Sequence, residues 1–94
     1  MTIAEIEAKI KRLKSYKKVM LENDSTIIGT YNKKTGWNGC ASFCQEDDRI
    51  KVFEGNPDGS DDKIMSFYKF AKNYSFGMAT ELKGGIINED QLCN

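Results

Sequence analysis

Three consecutive pieces decide the fold: Thr26-Ile27-Ile28-Gly29-Thr30-Tyr31, the loop Asn32-Lys33-Lys34-Thr35-Gly36, and Trp37-Asn38-Gly39-Cys40-Ala41-Ser42-Phe43-Cys44-Gln45. The first piece is rich in β-branched side chains, which fit a pleated, half-buried surface better than a helix. A polar loop ending in glycine then turns the chain, and residues 37–45 return as a second strand. Glu46-Asp47-Asp48 makes a short acidic turn into residues 49–54, where Ile50 and Val52 alternate with Lys51 and Phe53. Segments spaced in this way predict a three-stranded antiparallel meander with one buried face.

On the N-terminal side, Thr2 and Glu5 form an S/T-x-x-E capping box, a device that satisfies unpaired amides at a helix start. Ile3, Ile6, Ile10 and Leu13 follow at helical spacing and predict a helix over about residues 2–20, ending between Tyr16 and Leu21. Lys17 falls on that apolar stripe and interrupts it, which favours a helix packed on its own core over a coiled-coil dimer. On the C-terminal side, Gly55-Asn56-Pro57-Asp58-Gly59-Ser60 is a loop that delivers Ser60 or Asp61 as the cap of a second helix. That helix carries Ile64, Phe67, Tyr68, Ala71 and Tyr74 on one face and stops near residues 73–75. Residues 76–83 read as a further strand, Gly84-Gly85 as a turn and Ile86-Ile87 as a short final strand. The expectation is a single α+β domain over residues 1–94, with the sheet and second helix in 26–88. Its antiparallel sheet has about four to five strands, accompanied by two helices.

The 94 residues include no histidine, the usual general base and a common metal ligand. Without an imidazole, Cys40, Cys44 and Cys93 have no partner to make a thiolate, and serine and threonine hydroxyls lack their ordinary activator. This argues against an enzyme and for a binding protein. Zinc needs four ligands, which Cys40, Cys44 and a distant Cys93 do not supply. Four residues apart in a strand, Cys40 and Cys44 lie about 13 Å from one another, too far for a disulfide. They are expected as small buried hydrophobes. Asp58, Ser60 and Asp62 alternate like a calcium loop, but Lys69 stands where the closing bidentate acid belongs, and helix capping accounts for them. No metal and no cofactor is expected.

Formal net charge is zero, from 14 basic and 14 acidic residues, but the signs are segregated. Lysines and an arginine crowd residues 9–18, and acids crowd residues 46–62. Two solvated faces explain this pattern. A basic helix on nucleic acid is the sharper alternative, and the lack of aromatics among its charges argues against it. The acidic stretch could instead meet a basic partner. Nothing resembles a membrane span or the apolar core of a signal peptide, and an odd cysteine number suits a reducing cytoplasm.

Gly36-Trp37-Asn38-Gly39 sets a large aromatic between glycines, either as a tight turn whose Trp caps the core or as an exposed interface anchor. Taken in order, a set of such pieces resembles one family. They are Thr30-Tyr31, Gly36-Trp37-Asn38-Gly39-Cys40, Ile50-Lys51-Val52, Pro57-Asp58 with Asp61-Asp62-Lys63, and Ser75-Phe76-Gly77-Met78-Ala79-Thr80. The set is similar to the small phage-borne anti-CRISPR proteins that inhibit type II-C Cas9 by capping its HNH nuclease domain. In that family the two residues after G-M-A reach the catalytic histidine and a metal-binding aspartate of the HNH domain, and by position they fall on Thr80 and Glu81. Glu81 stands where the family has cysteine. The resemblance implies a non-catalytic inhibitor, working in the cytoplasm of a bacterial host, that occludes a nuclease. Its partner-binding residues would be Trp37, Asn38, Met78, Thr80 and Glu81. The alternatives are a phage or mobile-element protein that binds a different host defence protein, and a nucleic-acid-binding module built on the basic helix.

Overall fold

A computed structural model describes residues 2–55, 62–78, 81–82 and 85–86. Its elements are α1 (Ile3–Glu22), β1 (Ile27–Tyr31), β2 (Asn38–Phe43), β3 (Arg49–Val52), β4 (Lys63–Ser66), α2 (Phe67–Asn73), β5 (Ser75–Gly77), β6 (Glu81–Leu82) and β7 (Gly85–Ile86). Five strands form one antiparallel sheet in the order β4-β3-β2-β1-β5, and β6 pairs with β7 in a second, two-stranded one. Two helices with this sheet make the α+β class expected from the sequence. The expected loop at residues 56–60, the caps Ser60 and Asp61, and Cys93 lie outside the described residues.

The meander forms as its alternation predicts. Ile28 and Thr30, Ala41 and Phe43, and Ile50 and Val52 are buried, while their neighbours along each strand are not. Strand register carries this pattern across the sheet, setting Ile28 opposite Ala41 and Ala41 opposite Val52. Both helices cover that inner face. Phe67 of α2 packs edge-on against Phe43 with ring centroids 5.8 Å apart. Phe70 lies 5.2 Å from the Tyr74 ring and 5.3 Å from Phe76 of β5, and Tyr16 of α1 meets Phe76 edge-on at 6.1 Å. Of these rings, Tyr16 and Phe70 are fully buried, and each contributes about 1.5–3 kcal/mol through lost contact with water.

Helix α1 runs to Glu22, one residue past the expected limits, and keeps Met20 in the core. Its stripe also drifts. Ile6, Leu13, Tyr16 and Met20 are buried, Ile10 partly, and Ile3 is 68 % exposed. Lys17 lies off this seam and donates to the Asp47 carbonyl at 2.7 Å. Half of the capping box is made. The Glu5 amide donates to Thr2 Oγ1 at 3.2 Å, and the Glu5 carboxylate accepts from the Thr2 hydroxyl itself at 3.3 Å.

The second helix departs most from expectation. Residues 63–66 are the strand β4, not helix, and α2 has only seven residues. β3 would otherwise present an unpaired edge, and β4 covers it with Met65 buried opposite Ile50. The same pleat turns Ile64 outward, 57 % exposed, although helical spacing had placed it inside. Tyr68 is likewise exposed, and Phe70, which the expected face left out, is in the core instead. The cap is Ser66, whose Oγ accepts from the Lys69 amide at 3.3 Å.

Candidate binding surface

The pleat divides the expected partner-binding residues between two faces. Trp37 shares its parity with Gly39, Ala41 and Phe43, so its indole turns inward and packs against the margin of the core. It meets the Tyr74 ring edge-on at 6.3 Å. It also lies over Gly39, where an added Cβ would sit 2.5 Å from the indole Cζ2, so only glycine fits beneath it. Gly36, at φ +76°, supplies the left-handed residue that the turn requires. The Gly-Trp-Asn-Gly run is thus a turn whose tryptophan caps the core, with part of the ring still reachable from solvent.

Met78 requires a correction. It is 2 % exposed and belongs to the core, so its side chain offers no anchor to a partner. Asn38 stands on the outer face, opposite Tyr31. Thr80 lies outside the described residues, and Glu81 is placed only as the first residue of β6.

Unlike the inner face, the outer one is built from small and uncharged residues where β5, β1 and β2 adjoin. Gly77 pairs with Gly29 and Gly29 with Cys40; Ser75 pairs with Tyr31 and Tyr31 with Asn38. A cavity of about 430 Å³ opens here, lined by Gly29, Thr30, Tyr31, Asn38, Ser75, Phe76, Gly77 and Met78. A Cβ on Gly77 would meet nothing within 4 Å, and one on Gly29 only the Gly77 carbonyl at 3.8 Å. Packing therefore does not require these glycines. Tyr31 (40 % exposed) and Ile27 (45 %) stand beside them. Sequence reasoning quoted Thr30-Tyr31 and Ser75-Phe76-Gly77 without nominating Tyr31, Ser75 or the glycines. The period-two alternation that buries Ala41 and Phe43 was the signal that could have separated Asn38 from Trp37.

Cys40 and Cys44 are free thiols and only half-buried, which corrects the expectation of buried hydrophobes. Cys40 alternates with buried Ala41 and so belongs to the outer face. Among the described residues, no cluster of three or more cysteine, aspartate or glutamate side chains could hold a metal. No helix among them is long and apolar enough to cross a membrane.

The segregated charges lie close together at one place. Lys14 lies 3.9 Å from Asp48, Lys17 donates to the Asp47 carbonyl, and Arg49 pairs with Asp47 at 2.8 Å. The Arg49 hydrogen bond holds the Asp47 carboxyl below its ordinary pKa. The basic helix and the acidic turn are thus neighbours within one molecule.

A second cavity, of about 540 Å³, lies on the other side of the 32–37 turn, and Glu54 is its hub. One carboxylate oxygen, Oε1, accepts from the Tyr74 hydroxyl at 2.7 Å and from Lys63 Nζ at 3.3 Å. The other, Oε2, accepts from Thr35 Oγ1 at 3.1 Å and Asn32 Nδ2 at 3.2 Å. Burial alone would raise the Glu54 pKa, but the bonds from Tyr74, Thr35 and Lys63 outweigh it and hold the carboxyl below its ordinary value. Burial, and then the same carboxylate, push the Tyr74 phenol up to about 12. No family model matches the chain, and neither the curated proteins nor the solved structures compared with it yield a match.

Proposed function

We propose that the protein is a non-catalytic inhibitor that binds a host defence nuclease and occludes its active face, the target being the HNH domain of a type II-C Cas9. One observation carries the reading. Thr30-Tyr31, Asn38 and Ser75-Phe76-Gly77, separate in the chain, lie on three adjoining strands and line one open cavity. Three of the five pieces of the resemblance therefore share one surface, where β5, β1 and β2 adjoin. That surface is uncharged and bares backbone at Gly29 and Gly77, which suits close approach by another protein.

In this reading the inhibitor acts as a plug. Covering a metal-dependent nuclease site keeps the scissile strand away from the metal without any reaction by the plug itself. A stable complex of this kind buries roughly 1,200–2,000 Å² in total. Tyr31, Asn38 and the floor of the cavity provide its centre, Thr80 and Glu81 follow along the chain, and the bacterial cytoplasm is where it works.

Co-elution of the purified protein with isolated HNH domains from type II-C Cas9 proteins tests the proposal. Binding to at least one of them is expected. Gly77→Arg and Asn38→Arg, both on the outer face, should abolish the complex while leaving the fold intact. Absence of binding across the panel, or full binding by both arginine variants, would overturn it.

A further inference from the structure

The 32–37 turn stands between the two cavities, and its neighbour Asn38 lines the first. Its own backbone bonds are few: Asn32 N–H donates to the Trp37 carbonyl at 2.9 Å and Gly36 N–H to the Asn32 carbonyl at 2.8 Å. Two residues within it, Asn32 and Thr35, instead reach across to Glu54, which lies just beyond β3. Thr35 Oγ1 also accepts the Trp37 amide at 3.2 Å, so the hydroxyl relays the carboxylate's hold to the tryptophan backbone. From the other side, Tyr74 touches both the Trp37 ring and Glu54.

We infer that Glu54 is the positioning residue of the proposed docking surface, its two oxygens joining the 32–37 turn to β4 and the end of α2 so that Trp37 and Asn38 keep one arrangement. The inference rests on the reading that this surface docks a protein, and it specifies how the surface is held ready. The two oxygens divide the work: Oε2 holds the turn, and Oε1 holds the scaffold through Lys63 and Tyr74. A turn held in this way before the partner arrives loses little conformational freedom on binding, and that loss is what weakens association by a mobile loop. The carboxylate touches no partner itself. Its side chain is 13 % exposed, and it lines the second cavity and not the first.

Three variants decide the matter in the isolated protein. Glu54→Ala removes both halves of the connection. Tyr74→Phe removes the phenol's bond to Oε1 and its bond with Asn32, and leaves the Oε2 bonds to the turn. Glu54→Gln keeps the side-chain volume and one acceptor oxygen, and it decides the question if the alanine variant does not fold. The readouts are amide resonances of residues 32–38 and acrylamide quenching of Trp37, the sole tryptophan. Expected are displaced turn resonances and stronger quenching for Glu54→Ala, with the amides of Ile50 and Phe70 unmoved, and a smaller change in the same direction for Tyr74→Phe. A role in stability alone predicts the same turn spectrum in every folded variant, and that result would overturn the inference.

A second arm measures affinity for an HNH domain that binds the wild type, where Glu54→Ala or its glutamine substitute should weaken binding about tenfold. A loosened turn with undiminished affinity would also overturn the inference. If the wild type binds no HNH domain, the docking proposal fails, and the first arm still decides whether Glu54 holds the turn.

Discussion

The two faces of one sheet carry opposite kinds of information. The inner face is filled by Phe43, Phe67, Phe70 and Phe76 with their helical partners, and a glycine there, Gly39, lies directly beneath an indole. The outer face, where β5, β1 and β2 adjoin, has glycines with open space above them and an open cavity. Inner residues are dictated by the fold. Outer residues are not, and the freedom they enjoy makes them the surface on which recognition can be written.

The largest expected effect falls inside. Phe70→Ala should cost about 3–5 kcal/mol, because it empties a fully buried site between two rings. Against a total of about 5–10 kcal/mol for a domain of this size, urea denaturation would show a midpoint near collapse. Gly39→Ala should come next, at about 1–3 kcal/mol, since the new methyl must displace Trp37. A red-shifted Trp37 emission would report that displacement. An unaltered midpoint and emission would mean that the inner face is less tightly specified than its geometry indicates.

The Glu54–Tyr74 pair sharpens the comparison through pH. Glu54 has a lowered folded pKa, so its contribution is full above the ordinary value of 4.5 and is lost as pH falls through the folded value. Tyr74 behaves in the opposite sense. Its contribution is full below 10.0 and fades as pH rises towards about 12. Urea midpoints measured across pH should fall at both ends, and Glu54→Gln should flatten the acid limb. The smallest effect belongs outside: Gly77→Ala should change stability by no more than about 0.5 kcal/mol, because its Cβ enters open space. A large loss there would break the contrast between the faces.

The meander was legible because Ile50 and Val52, or Ala41 and Phe43, alternate at the strand period and share a buried side. Residues 63–66 were not. Ile64, Phe67 and Ala71 match helical spacing, and nothing local reveals that the edge of β3 needs Met65 opposite Ile50. The docking residues failed for a related reason. Trp37 and Asn38 are adjacent in the chain, but the pleat sends them to opposite sides, and only the pairing of β1 with β5 shows which neighbours Asn38 acquires. Glu54 carried no signal either, because the residues that give it purpose come from three separate parts of the chain.

Lys9 donates to the carbonyls of Ala71 and Tyr74 at 3.2 and 3.3 Å, across more than sixty positions of chain, and lies over the Phe76 ring. Burial lowers its pKa, so the ammonium has given up solvent for these contacts. During synthesis, α1 leaves the ribosome before residues 70–76 and must therefore wait for these partners. Until residues 70–76 emerge, Leu13, Tyr16 and Met20 have nothing complete to rest on, and the nascent chain exposes an oily ridge. A chain stopped after Val52 would hold α1 and the meander but no lid for either, and rapid proteolysis of such a fragment is the fate this architecture implies.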